Sequence, residues 1–114
     1  MRLGKQLGAL ATITAAMVAL AAPAHADVDT DFANQLHSYG IYGPRDYNAW
    51  LAKITCERLG NGLDTSAEKS AQFLSHNLPR GTTTVQTWQF LGVAISTYCP
   101  DLIPTLTSVA EPNH

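Results

Sequence analysis

The stretch "HSYGIYGPRDY" gathers His37, Tyr39, Tyr42 and Tyr47 within eleven residues. Histidine and tyrosine both serve as axial haem ligands, so His37, Tyr39 and Tyr42 form the region best equipped to hold haem or another flat ligand. A plainer reading suits the same residues better. Tyr39 and Tyr47 cover the edge of a core with their rings and keep their hydroxyls in water. No Cys-x-x-Cys-His is present for covalent haem attachment. Trp50 and Trp88 are the remaining candidates, and helical spacing predicts that both are core residues. They would reach a ligand by lining an apolar pocket between their two helices. The binding set is therefore His37, Tyr39, Tyr42, Trp50 and Trp88, for a protein partner or an apolar ligand. Haem is the alternative, and no other cofactor is expected.

Other chemistry is sparse. Asp27-x-Asp29-x-Asp31 matches the opening of a calcium loop, but Phe32 stands where that loop turns on Gly and Ser38 where it needs a bidentate Glu. Three carboxylates there suit the positive end of a helix instead. His37, His76 and His114 show no metal-ligand spacing. There is no His-Glu-x-x-His, no phosphate-cradling Gly loop and no Gly-x-Ser-x-Gly elbow. No catalytic residue is assigned, no metal site is expected, and the chain is read as a non-enzyme.

The N-terminus predicts export. Arg2 and Lys5 precede an uncharged run rich in Ala, Leu and Val, and Pro23 breaks it just before Ala24-His25-Ala26. This is the three-part pattern of a signal peptide cleaved after Ala26. Residues 1–26 would then leave, 27–110 would form the domain, and 111–114 a flexible tail. The processed chain keeps five basic residues (Arg45, Lys53, Arg58, Lys69, Arg80) against nine acidic ones, a formal charge of −4. An acidic domain without a basic run lacks the footprint of a nucleic-acid binder. It also lacks the cationic stripe of a peripheral membrane helix, so no membrane partner is expected after cleavage.

Export and a count of two cysteines predict an intramolecular Cys56–Cys99 bridge. A disulfide-linked dimer and two free thiols are the alternatives. Their wide separation is unlike a catalytic Cys-x-x-Cys pair, so a bridge would be structural.

The elements that must position these residues are helices, because apolar residues recur at steps of three and four. The first spans about 30–39, with Phe32, Leu36 and Tyr39 on one face and Gly40 as its stop. Gly43-Pro44 and Asp46 open the second, Asp46 as its cap. Its bulky stripe is Tyr47, Trp50, Leu51, Ile54 and Arg58, and its small one Ala49, Ala52 and Cys56, as for a helix packed between two neighbours. Gly60-Asn61-Gly62 ends it. Thr65 and Glu68 form a capping box for a third helix along Ala67, Ala71, Leu74 and Leu78. Thr83 and Gln86 form another for a fourth helix whose face holds Val85, Trp88, Gly92, Ile95 and Cys99. Gly92 would admit a close neighbour there. Pro100 stops that helix, Asp101 caps a short fifth, and Pro104 sits in its first turn. The fold class is all-α: a small bundle of four to five short helices stapled by one disulfide, after a cleavable signal peptide.

The acidic start, Phe32…Leu36…Gly40-Ile41, the cysteine before a Gly-rich turn, and Phe90…Tyr98-Cys99-Pro100 together resemble a mycobacterial family of small secreted proteins, domain-of-unknown-function family 732. The resemblance runs from about Asp29 to Pro100. It implies an exported, all-helical, disulfide-linked actinobacterial domain with no assigned activity. The aromatic-rich "SYGIYGPRDYNAW" is a departure from that pattern.

Overall fold

The computed structural model describes residues 24–110, with side chains from 28 to 108. All but the last three residues of the expected signal peptide, and the whole 111–114 tail, lie outside the described residues. Within them are five α-helices and no strand: α1 (Ala24–His37), α2 (Arg45–Gly60), α3 (Ala67–Asn77), α4 (Thr84–Tyr98) and α5 (Pro104–Ala110). A 3-10 turn, Pro100–Leu102, joins the last two.

Helix α1 begins earlier than the apolar pattern predicted and ends where Gly40 said it would. Gly40 takes φ +76°, its N–H bonds to the His37 carbonyl, and the Ile41 N–H reaches back to the Leu36 carbonyl. This closure satisfies carbonyls that the helix end would leave open. It brings Ile41 into the core beside Leu36 and turns Tyr39 out of the stripe, so Tyr39 is exposed. Phe32 is fully buried and meets Phe90 and Tyr98 edge-on, at ring-centroid distances of 5.5 and 5.3 Å. Each such pair adds about 0.5–1.5 kcal/mol beyond its burial.

Helix α2 touches α1, α3 and α4, but it is not buried on both of its predicted stripes. Its inward arc is Asn48, Ala49, Leu51, Ala52, Thr55 and Leu59. Small residues let α4 close against it, and Cys56 and Cys99 sit at disulfide-bonding distance with Cα atoms 5.9 Å apart. Pinning the Cys56 side inward forces Tyr47 and Trp50 outward. Trp50, expected in the core, is 54% exposed. Pro44 precedes the helix without a side-chain cap, and Asp46 lies in the first turn, ion-paired with its neighbour Arg45 rather than capping.

Two further caps differ from each other in how they match expectation. Ser66, one residue after the expected Thr65, caps α3 by accepting the Lys69 N–H. For α4 the expected reciprocal box is present: Thr83 accepts from the Gln86 N–H, and the Gln86 side chain accepts from the Thr83 N–H. The α3 stripe Ala67, Ala71, Leu74, Leu78 is buried as read. The α4 face is rotated from the expected one, burying Thr87, Phe90, Leu91, Val93, Ala94 and Ile95. Val85 is exposed, Trp88 is half-buried, and a Cβ at Gly92 would meet nothing within 4 Å. Gly92 therefore admits no close neighbour. Phe90 and Leu91 turn inward because the Phe32 ring and the Cys99 anchor both lie on their side. Cys99 closes α4 through its N–H to the Ile95 carbonyl. Asp101 falls inside the 3-10 turn rather than capping α5, which opens on Pro104.

Candidate functional site: an aromatic corner and two surface cavities

The α1–α2 connection and the first turns of α2 carry a set of exposed aromatics. Tyr42 is 64% exposed, and Tyr39 and Tyr47 are each well exposed. The His37 and Tyr42 rings lie against each other with centroids 5.0 Å apart, and Tyr47 and Trp50 pair at 5.8 Å. The corner is held by its backbone and edges. The Tyr39 carbonyl accepts from the Gln86 side-chain amide of α4, and the Tyr47 hydroxyl donates 3.0 Å to the Asn77 carbonyl at the end of α3. That hydroxyl was expected in water; it braces α2 to α3 instead. Arg45 reaches across to the Thr30 hydroxyl of α1 at 3.0 Å.

The structure does not gather the whole predicted set. His37, Tyr39, Tyr42 and Trp50 belong to this corner, but Trp88 does not. Neither of the two surface cavities is lined by both Trp50 and Trp88. One cavity of about 320 Å³ lies between the α1–α2 connection and the α3–α4 connection, lined by Gly40, Ile41, Tyr42, Pro79, Arg80, Gly81, Thr82 and Gln86. A second of about 320 Å³ lies between α3 (Glu68, Ala71, Gln72, Ser75) and α4 (Thr84, Thr87, Trp88). Both are at the small end of the range that ligand sites occupy. Neither is lined by His37 or Tyr39. Among the described residues no group of three His, Cys, Asp or Glu is placed to hold a metal.

Two polar clusters had no clear signal in the sequence. Asp64, 5% exposed, accepts from Nε and Nη2 of Arg58, each at 3.0 Å, and from the Ser70 hydroxyl at 2.9 Å. The Arg58 guanidinium also lies 4.0 Å over the Phe73 ring. Burial alone would raise the Asp64 carboxyl, but bonds from Arg58 and Ser70 outweigh it and hold the group below its ordinary value. The cluster fastens the α2–α3 loop. Its only hint was an acid placed a few residues after the last-turn Arg58, across a Gly turn.

In the second cluster the Tyr98 hydroxyl donates 2.6 Å to Asp29, and Lys53 stands 3.5 Å from the same carboxylate oxygen. The bond from Tyr98, assisted by Lys53 and opposed by burial, lowers Asp29. Burial, and then the bond to Asp29, push the Tyr98 phenol well above its ordinary value. These groups join α1, α2 and α4, and residues 69 apart in sequence cannot be paired by spacing. Among the described residues Ser70 is the one serine whose hydroxyl meets a carboxylate, and that carboxylate is already engaged by Arg58 in a buried ion pair. The arrangement tethers a loop; it does not activate a nucleophile.

Known proteins match this chain along nearly its whole length. The family described as "Protein of unknown function (DUF732)" matches residues 28–101. The uncharacterized proteins MT0585 and Rv0559c, from two strains of Mycobacterium tuberculosis, are each 58% identical over 104 residues. Those alignments cover 90% of this chain and 93% of each relative. No solved structure matches. The resemblance carried by Phe32, Gly40-Ile41 and Tyr98-Cys99-Pro100 holds across the domain, and the chain belongs to the DUF732 family.

Proposed function

We propose that the protein is a non-catalytic binding module, exported by cleavage after Ala26, which engages another protein at or outside the cell envelope through its aromatic corner. The observation that carries this reading is the clustering of exposed Tyr42 and Trp50 with Tyr39 and Tyr47 on one braced corner, whereas Leu63 and Val85, also exposed, are not aromatic. Tyrosine and tryptophan are enriched where proteins meet, because they offer large contact area with few rotatable bonds. The braces to Asn77 and Gln86 fix the corner before any partner arrives, which lowers the ordering cost of association. The acidic balance of the processed chain favours a partner that is neutral or basic at its contact face.

The test is affinity capture from an envelope and culture-filtrate preparation, comparing the wild type with a Tyr42→Ala, Trp50→Ala double variant. The variant should melt as the wild type does and lose the captured protein. A partner retained by the double variant would overturn the assignment of this surface. A second reading, haem carriage by His37, Tyr39 and Tyr42, draws on the closeness of the His37 and Tyr42 rings. Hemin titration separates the two. A saturable Soret shift lost in a His37→Ala, Tyr39→Phe variant would favour the carrier.

A further inference from the structure

The second cavity, between α3 and α4, is remote from the aromatic corner in its lining, and most of its polar wall offers acceptors. The Ser75 hydroxyl donates its proton to the Gln72 carbonyl at 2.8 Å, and the Thr87 hydroxyl donates to the Thr83 carbonyl at 3.1 Å. A hydroxyl that has spent its only proton offers a ligand lone pairs alone. Glu68 adds the one formal charge among the lining residues, a carboxylate. Half-buried Trp88 adds an aromatic ring, whose face carries negative potential. Buried Ala71 and the ring make the apolar part of the wall, and the Gln72 amide can serve as donor or acceptor.

We infer that this cavity binds a small organic cation, an alkylguanidinium or alkylammonium whose head is taken by Glu68 while its chain lies on Trp88 and runs toward the Ser75 and Thr87 oxygens. Cations are attracted to a tryptophan face as well as to the carboxylate. The negative charge of the processed domain would raise the local concentration of such a ligand. A volume of about 320 Å³ suits one short chain with a charged end and little more. This site does not depend on the aromatic corner, and none of the corner residues lines it.

The test uses the Trp50→Phe variant, in which Trp88 is the only tryptophan left of the two in the chain. Agmatine is titrated as a free cation, N-acetyl-arginine methylamide as a protein-like one, and 1-pentanol as an uncharged control. Saturable change in Trp88 emission with agmatine, and amide shifts confined to Glu68, Gln72, Ser75 and Trp88, are expected. Glu68 is exposed, so Glu68→Gln should leave folding intact and weaken binding roughly three- to tenfold. Binding of agmatine alone identifies a free amine, and binding of both cations a side chain offered by a protein. Absence of saturation with either cation would overturn the inference. So would equal response to pentanol, or affinity unchanged in Glu68→Gln.

Discussion

Replacing both Cys56 and Cys99 with Ala should lower stability by about 4 kcal/mol. The two residues are separated by 43 positions. Opening a loop of that length returns chain entropy to the unfolded state worth roughly 4 kcal/mol at room temperature. The cysteines also lie where α2 and α4 approach each other, one of them buried against Ile95 and its neighbours, so the substitution leaves small voids as well. Each kcal/mol moves the midpoint of a domain this size by about 4–8 °C. The variant should therefore melt about 15–30 °C lower, or fail to fold if the wild type is no more stable than about 5 kcal/mol. Circular-dichroism melts of wild type and double variant, with intact-mass measurement with and without reductant, form the assay. The native protein should be lighter than the reduced one by two hydrogens, with no dimer. A midpoint shift below about 5 °C on that same scale would refute the reasoning. So would two thiols that alkylate readily in the unreduced native protein.

Other expectations follow from the polar clusters and from α4. Asp64→Asn leaves the Arg58 guanidinium half-partnered and should cost about 2–3 kcal/mol in urea unfolding, less than a fully dry pair because Arg58 keeps partial contact with water. Asp29 and Asp64 are held below their ordinary 3.8 in the folded protein. Such carboxylates stabilise the fold above that value and lose the contribution as pH falls through their lowered ones, so melting temperature should drop below about pH 4, and less steeply in Asp64→Asn. Tyr98 is raised above its ordinary 10.0, so the unfolded chain ionises first above pH 10 and stability is lost there; Tyr98→Phe should flatten that alkaline limb. Gly92→Ala, with open space around the added Cβ in a helix interior, should stabilise by about 0.5–1 kcal/mol in the same unfolding assay.

Local signals were readable in this sequence and long-range ones were not. Gly40, the Thr83–Gln86 box and the Ala67–Leu78 stripe each depend on residues within one or two turns, and the structure has them as read. The disulfide was legible because two cysteines allow a single intramolecular pairing. Helical periodicity located α2 but left its two stripes, bulky and small, in competition for the core. Size favours Trp50, whereas close approach of α2 to α4 requires Ala49, Ala52 and Cys56, and close approach prevailed. The same rotation on α4 exposed Val85 and left Gly92 in open space. Asp29–Tyr98 and Arg58–Asp64–Ser70 depend on how helices and loops come together, which no single-helix pattern encodes. For the candidate site, helical spacing read Trp50 and Trp88 as core residues able to line a shared pocket. Trp50 is instead exposed and Trp88 half-buried beside α3, a difference that depends on how the helices pack.

The recognition role of the aromatic corner is tested most directly by a photo-crosslinking amino acid placed at position 50 and, as a control, at exposed Ser96 on α4. Both variants would be expressed in a mycobacterial host and irradiated in intact cells. A discrete adduct of one added protein should form from position 50 and not from position 96, and it should vanish when Tyr42→Ala is added. Irradiation that yields no adduct at position 50, or the same adducts from both positions, would contradict the account.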